Sequence, residues 1–257
     1  MFKVGRMNSQ RSALRRHPFA IALAAFVVAF IAWQVPQFDF IMYPLRLFVT
    51  FIHESGHGLA ALISGGQFNR MVVFPNGSGL AMTTGGARWL ILPAGYLGAA
   101  AFGALLFFFN NRFHHSRALS TVIAIMVALM AVLYTDFLST AFLVGLGFAG
   151  VLGLLAWKAS SDLNRLVLNV LAILCALNAV TDLFSLVRNT GITLNGVRND
   201  AAAFSAEVMP LVPPVVWALL WAGLALLMLG AAIYYSLIHP LRRRRATREG
   251  ASAGRGF

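Results

Sequence analysis

Charge is what this sequence has least of. Only 11% of its residues are Asp, Glu, Lys or Arg, where a soluble domain carries about 25%. Hydrophobic residues make up 59%. That little polar surface does not keep a chain of 257 residues dispersed in water, which argues against the ordinary soluble classes and for helices solvated by lipid. Cysteine occurs once, at Cys175 inside an apolar run. An intrachain disulfide is therefore excluded, and the thiol is expected to serve as a small core or lipid-facing group. Acidic residues number 8 against 20 basic ones, so any carboxylate inside an apolar run stands out.

The basic surplus is concentrated outside the apolar runs. Lys3, Arg6, Arg11, Arg15 and Arg16 precede the first run; Arg242, Arg243, Arg244, Arg245 and Arg248 follow the last. Flanking basic residues hold helix ends on the cytoplasmic side and meet anionic headgroups. Membrane lipids, and not nucleic acid, are the expected partners of this charge.

A spanning helix needs roughly 20 mostly apolar residues. Seven runs qualify, near 18–35, 41–64, 88–109, 118–135, 137–157, 165–188 and 209–238. The first has a basic lead but no clear small-x-small cleavage site, so it reads as a retained helix and not as a signal peptide. Basic segments at both ends call for an even number of spans, and the short fourth run is the first to question. Residues 65–87 differ from the rest. Gly65-Gly66, Pro75-Asn76-Gly77 and Gly85-Gly86 break any helix, and the apolar stretches Met71 to Phe74 and Leu80 to Met82 read as two short strands. Open strand edges are not tolerated in lipid, so this hairpin must lie at the interface or be shielded by protein, where it can pair with an extended peptide. The glycines of Gly95-x-x-Gly98 and Gly145-x-Gly147-x-x-Gly150 read as close-packing helix surfaces. Pro93 is expected to kink the third helix. Trp33, Trp89, Trp157 and Tyr43 read as interfacial anchors.

The second run carries the chemistry. It contains His53-Glu54-Ser55-Gly56-His57, the pattern His-Glu-x-x-His. A spacing of four sets both imidazoles on one helical face, one turn apart, where they can bind one zinc ion. Glu54 can take the proton from a zinc-bound water and deliver it to a leaving amine. A glutamate in so apolar a helix is costly unless paired or functional. Gly56, Gly58 and Ser55 keep the neighbouring surface small, so that another helix or a substrate backbone can approach.

A catalytic zinc needs a third protein ligand. Asp182, near the end of the sixth run, is the leading choice, because the second and sixth helices run parallel by span count and bring His57 and Asp182 to similar depth. Asn178, one turn before it, is placed to orient the carboxylate or the substrate. Asp200 and Asp136 are weaker alternatives. Asp200 reads as the N-cap of a short helix from 201, and Asp136 as a turn or N-cap residue between the fourth and fifth runs. His114 and His115 read as interfacial residues, and Asn169 as an inward-facing or cross-helix polar group.

The stretch His53-Glu54-Ser55-Gly56-His57-Gly58-Leu59-Ala60-Ala61, then Ser64-Gly65-Gly66, Gly85-Gly86 and Pro93-Ala94-Gly95-Tyr96-Leu97-Gly98, resembles the site-2 protease class of intramembrane zinc metalloproteases, peptidase family M50, and within it the small M50B-like group. The resemblance implies zinc held by His53 and His57 with Glu54 as base, and a late aspartate as third ligand. Classical members carry that aspartate in Asn-Pro…Leu-Asp-Gly, whereas Asp182 follows Thr181 and precedes Leu183. No PDZ-like insertion is present.

The sequence therefore predicts an all-α polytopic bundle of six or seven spans with a small β-hairpin after the His-Glu-x-x-His helix. Residues 1–17 form a basic segment, 18–238 the membrane domain and 239–257 a basic tail. The expected function is zinc-dependent hydrolysis of transmembrane or membrane-adjacent peptides, in a bacterial inner membrane. A non-catalytic membrane scaffold of protease ancestry and a metal or ion transporter are the alternatives.

Overall fold

The computed structural model describes residues 20–27, 39–113, 115–188, 199–240 and 242, with the backbone alone at 41, 179 and 182–188. The expectations placed on 1–17, Trp33, His114 and the tail beyond 242 lie outside them. After α1, seen at 20–27, come α2 (Asp39–Ile63), β1 (Gln67–Val73), β2 (Gly79–Thr84), α3 (Arg88–Arg112), α4 (Ser116–Tyr134), α5 (Thr140–Lys158), α6 (Ser161–Arg188), α7 (Asp200–Glu207) and α8 (Pro214–Ile233), which runs on into a π-helical turn, Tyr234–Ile238.

The protein is a helical membrane bundle. Among the described residues five helices are long and apolar enough to cross a bilayer: α3, α4, α5, α6 through Asn178, and α8 with its π-turn. The expected six or seven are not all recovered. The 25-residue α2 is as long as α3, but Asp39, Arg46, His53, Glu54 and His57 lower its hydropathy. The fourth run, the first to be questioned, is a helix with a mean hydropathy of 2.1, as apolar as its neighbours. Trp89 and Trp157 are exposed near helix ends, as expected of interfacial anchors.

Glycine lets α2, α3 and α6 meet backbone to backbone. A Cβ at Gly56 would overlap the carbonyl of Ala94, and Gly98 packs against the Cα of Gly56. Further along α3, a Cβ at Gly103 would overlap the backbone of Ala172 and Ala176. In the fifth run only Gly145 behaves as a packing glycine, against Ala131 and Phe51. Gly147 and Gly150 meet nothing within 4 Å, which corrects their reading as packing surface. Cys175 is fully buried in the core. Asn169 pairs across helices, accepting hydrogen bonds from Asn110 and Asn111, both at 2.8 Å. This buried amide cluster ties the far end of α3 to the start of α6.

The two strands pair antiparallel, from Gln67 opposite Thr84 to Val73 opposite Gly79, and are longer than the apolar stretches alone suggest. Gly77 takes a φ of 91° in the turn, a conformation that suits glycine. The hairpin lies along α2. Thr50 Oγ1 donates to the Gly77 carbonyl at 2.8 Å and Tyr43 Oη to the Pro75 carbonyl at 2.7 Å. Tyr43 thus holds the hairpin tip.

Candidate metal centre

His53 and His57 stand one turn apart on α2, both buried. Their Nε2 atoms are 3.2 Å apart. Asp200 Oδ2, from the first residue of α7, lies 2.9 Å from His53 Nε2 and 3.2 Å from His57 Nε2. Among the described residues this is the one cluster of His, Cys, Asp and Glu able to hold a metal ion.

The partner of the outer ring nitrogen of His57 favours a cation at this point. His57 Nδ1 is 2.7 Å from the Ile91 carbonyl, which can only accept, so Nδ1 carries the proton. In the neutral ring Nε2 is then a bare lone pair. It faces the Asp200 carboxylate, a second acceptor, and the pair repel unless a positive charge sits between them. His53 Nδ1 faces the side-chain amide of Asn178 at 3.1 Å. As it stands the amide nitrogen Nδ2 donates to that ring nitrogen; only with the amide flipped, oxygen towards Nδ1, would Asn178 set the same tautomer on His53, as the outer partner of a ligating histidine does.

The space fits as well. Ligand atoms 2.0–2.2 Å from one ion at tetrahedral angles stand about 3.3–3.6 Å apart, close to the separations here. Gly95 of α3 closes the site from the side. A Cβ on it would overlap Nε2 of both histidines. Gly95→Ala is therefore expected to lose nearly all bound metal. Helix content should hold, since alanine favours a helix by about 1 kcal/mol over glycine. Metal stoichiometry measured beside circular dichroism checks this, and full metal content in the variant would refute the cradle.

Glu54 is buried next to the histidines, with the backbone N–H of Ala81 in β2 near its carboxylate. Gly79 makes this approach feasible, because a Cβ there would overlap Glu54 Oε1.

The sequence ranked the carboxylates differently. Asp182 was placed first; it lies on α6, one turn past Asn178, and its side chain is outside the described set. The carboxylate that meets the imidazoles is that of Asp200. It was expected to cap α7, but the cap is Asn199, whose side chain accepts the Ala201 N–H at 2.9 Å, and this leaves Asp200 free to face inward. Asp136 is exposed in the α4–α5 turn and pairs with Arg70 at 2.8 Å; the α5 cap is Ser139. Gly56 takes the close approach of α3, and Gly58 packs under the ring of Phe68. Sequence reasoning reads Gly79 only as a helix breaker and gives no role to the Ile91 carbonyl; their places at the site are purely spatial. Gly95 is legible as a packing glycine but not as a wall of the metal site, and Tyr96 only as a member of a motif.

Neither the curated proteins nor the solved structures gave a match. The model of the family described as Peptidase M50B-like matches residues 22–232, most of the chain. With a His/His/Asp cluster in a membrane bundle, this makes the protein a metal-dependent intramembrane peptidase, and the chain belongs to the M50B-like peptidase family.

Proposed function

We propose that the protein is a zinc endopeptidase that hydrolyses transmembrane or membrane-adjacent peptides, with one zinc ion held by His53, His57 and Asp200 and Glu54 as general base. The observation that carries this is the meeting of two Nε2 atoms and one carboxylate oxygen about 3 Å apart, with Glu54 beside them. A zinc ion in such a donor set lowers the pKa of a water towards neutrality and polarises a carbonyl. Glu54 then takes the proton of the attacking water and passes it to the leaving amine. The Ile91 carbonyl holds His57 in the required tautomer, and Asn178 does the same for His53 once its amide oxygen is turned to the ring. In the two-stranded sheet β2 keeps one edge unpaired, and its Gly79 lies against Glu54, which supports pairing with an extended, unwound stretch of substrate near the base.

A transporter would need a polar route through the bundle. Between the amide cluster around Asn169 and the metal centre, residues 171–176 of α6 are all apolar and buried. That layer favours a site reached from one side. The α2 helix is proposed as a further span, giving six with the five already apparent, and α1 as a seventh where it crosses fully. A bacterial inner membrane is the proposed location.

The test uses purified protein in detergent or proteoliposomes with a model transmembrane peptide. One zinc per chain, cleavage lost with a strong chelator and restored by zinc alone is the expected result. Cleavage that survives complete metal removal would refute the proposal.

A further inference from the structure

Asp200 reaches the histidines from a helix that cannot hold itself in place. The eight residues of α7 are too few for an isolated helix to be stable in itself, so its position must come from contacts. At its C-terminal end Glu207 pairs with Arg88 at 2.7 Å, both exposed, an arrangement that contributes little. In its middle Phe204 sits against Trp217 and Trp221, with ring centroids 4.6 and 5.6 Å away. These contacts hold α7 to α8, and buried Ser205 adds a hydrogen bond from its hydroxyl to the Val212 carbonyl. The N-terminal end, next to the ligand, is held more specifically. There Asn199 works in two directions: its Oδ1 caps the helix through the Ala201 N–H, and its Nδ2 donates to the hydroxyl of Tyr96 at 3.2 Å.

Tyr96 comes from α3, one residue after Gly95, and is buried. Its ring meets His53 edge-on, with centroids 4.6 Å apart and planes at 82°, and leans on Trp221 at 5.8 Å. One side chain thus touches a histidine of the centre with its ring and the residue before Asp200 with its hydroxyl. We propose that Tyr96 is a positioning residue of the metal centre: its hydroxyl, through Asn199, fixes where α7 presents Asp200, and its ring fixes the plane of His53. This rests on the reading of His53, His57 and Asp200 as the ligands. A phenylalanine would serve the ring contact equally well. The link to Asn199 requires tyrosine.

The test is made on the full chain in detergent, with zinc(II) affinity from chelator competition and cobalt(II) as a spectroscopic probe of ligand geometry. Tyr96→Phe removes the hydroxyl alone. Asn199→Ser keeps a capping oxygen but is too short to reach Tyr96. Each variant is expected to bind zinc about tenfold more weakly, as loss of an outer-shell partner does, and to alter the cobalt ligand-field bands. Melting of the metal-free protein should stay unchanged. Because both variants cut one link, the double variant should be no weaker than the worse single. Wild-type zinc affinity and cobalt bands in Tyr96→Phe would overturn the proposal. So would losses that add in full, or lowered metal-free melting with unaltered cobalt bands. If Tyr96→Phe does not fold, Asn199→Ser gives the same reading. A wild type that binds neither metal overturns the ligand assignment and this inference together; a wild type that binds while both variants match it overturns the inference alone.

Discussion

Glu54→Gln is expected to lower peptide cleavage by about 10²- to 10⁴-fold, the range a positioned general base supplies, and to leave bound zinc at the wild-type level. Glutamine has the shape of glutamate. It fits the same space under Gly79, where a single added carbon would overlap Oε1. What it cannot do is accept a proton from the attacking water. The loss should therefore fall on kcat, with KM for a model transmembrane peptide little changed. Zinc stoichiometry and single-turnover cleavage, measured on the same preparation, separate the two effects. A glutamine variant that cuts at the wild-type rate would show that Glu54 is not the base, and a variant without zinc would show that it is part of the metal's coordination.

Much of this could be read from the chain, and the missing parts share a cause. The His53–His57 pair is a local feature: a spacing of four on a helix fixes its geometry whatever the rest of the fold does. The hairpin was legible because Gly65, Gly77 and Gly85 sit where the backbone must take positive φ. Residues that meet across the bundle were not. Nothing in the sequence says that Gly147 faces open space while Gly145 packs on Phe51, because helical spacing gives a face and not its neighbour. The third carboxylate is the clearest case. Asp182 lies in a long apolar run, and a buried aspartate there is conspicuous. Asp200 lies in a polar stretch where an aspartate at a helix start is ordinary, and one residue decides its role: with Asn199 as the cap, Asp200 becomes the first helical residue and turns inward.

That difference separates the two carboxylates by experiment. Asp200→Asn is expected to weaken zinc binding by more than the roughly 10- to 100-fold that loss of an outer-shell partner costs, because it removes a ligand and its negative charge together. Asparagine keeps the size of the side chain, and Asn199 still caps α7, so the helix should remain docked through Phe204 and the two tryptophans. Asp182→Asn should leave zinc affinity unchanged. Asp182 lies about 6 Å further along α6 than Asn178, by one turn of helix rise, and Asn178 itself contacts His53. Chelator competition on the two variants side by side decides between them. The reverse pattern, with zinc kept in Asp200→Asn and lost in Asp182→Asn, would place the third ligand on α6 and reduce α7 to a cover over the site. Loss in both would mean that the two carboxylates share the ion, and that His53 and His57 face a wider acidic rim than one aspartate provides.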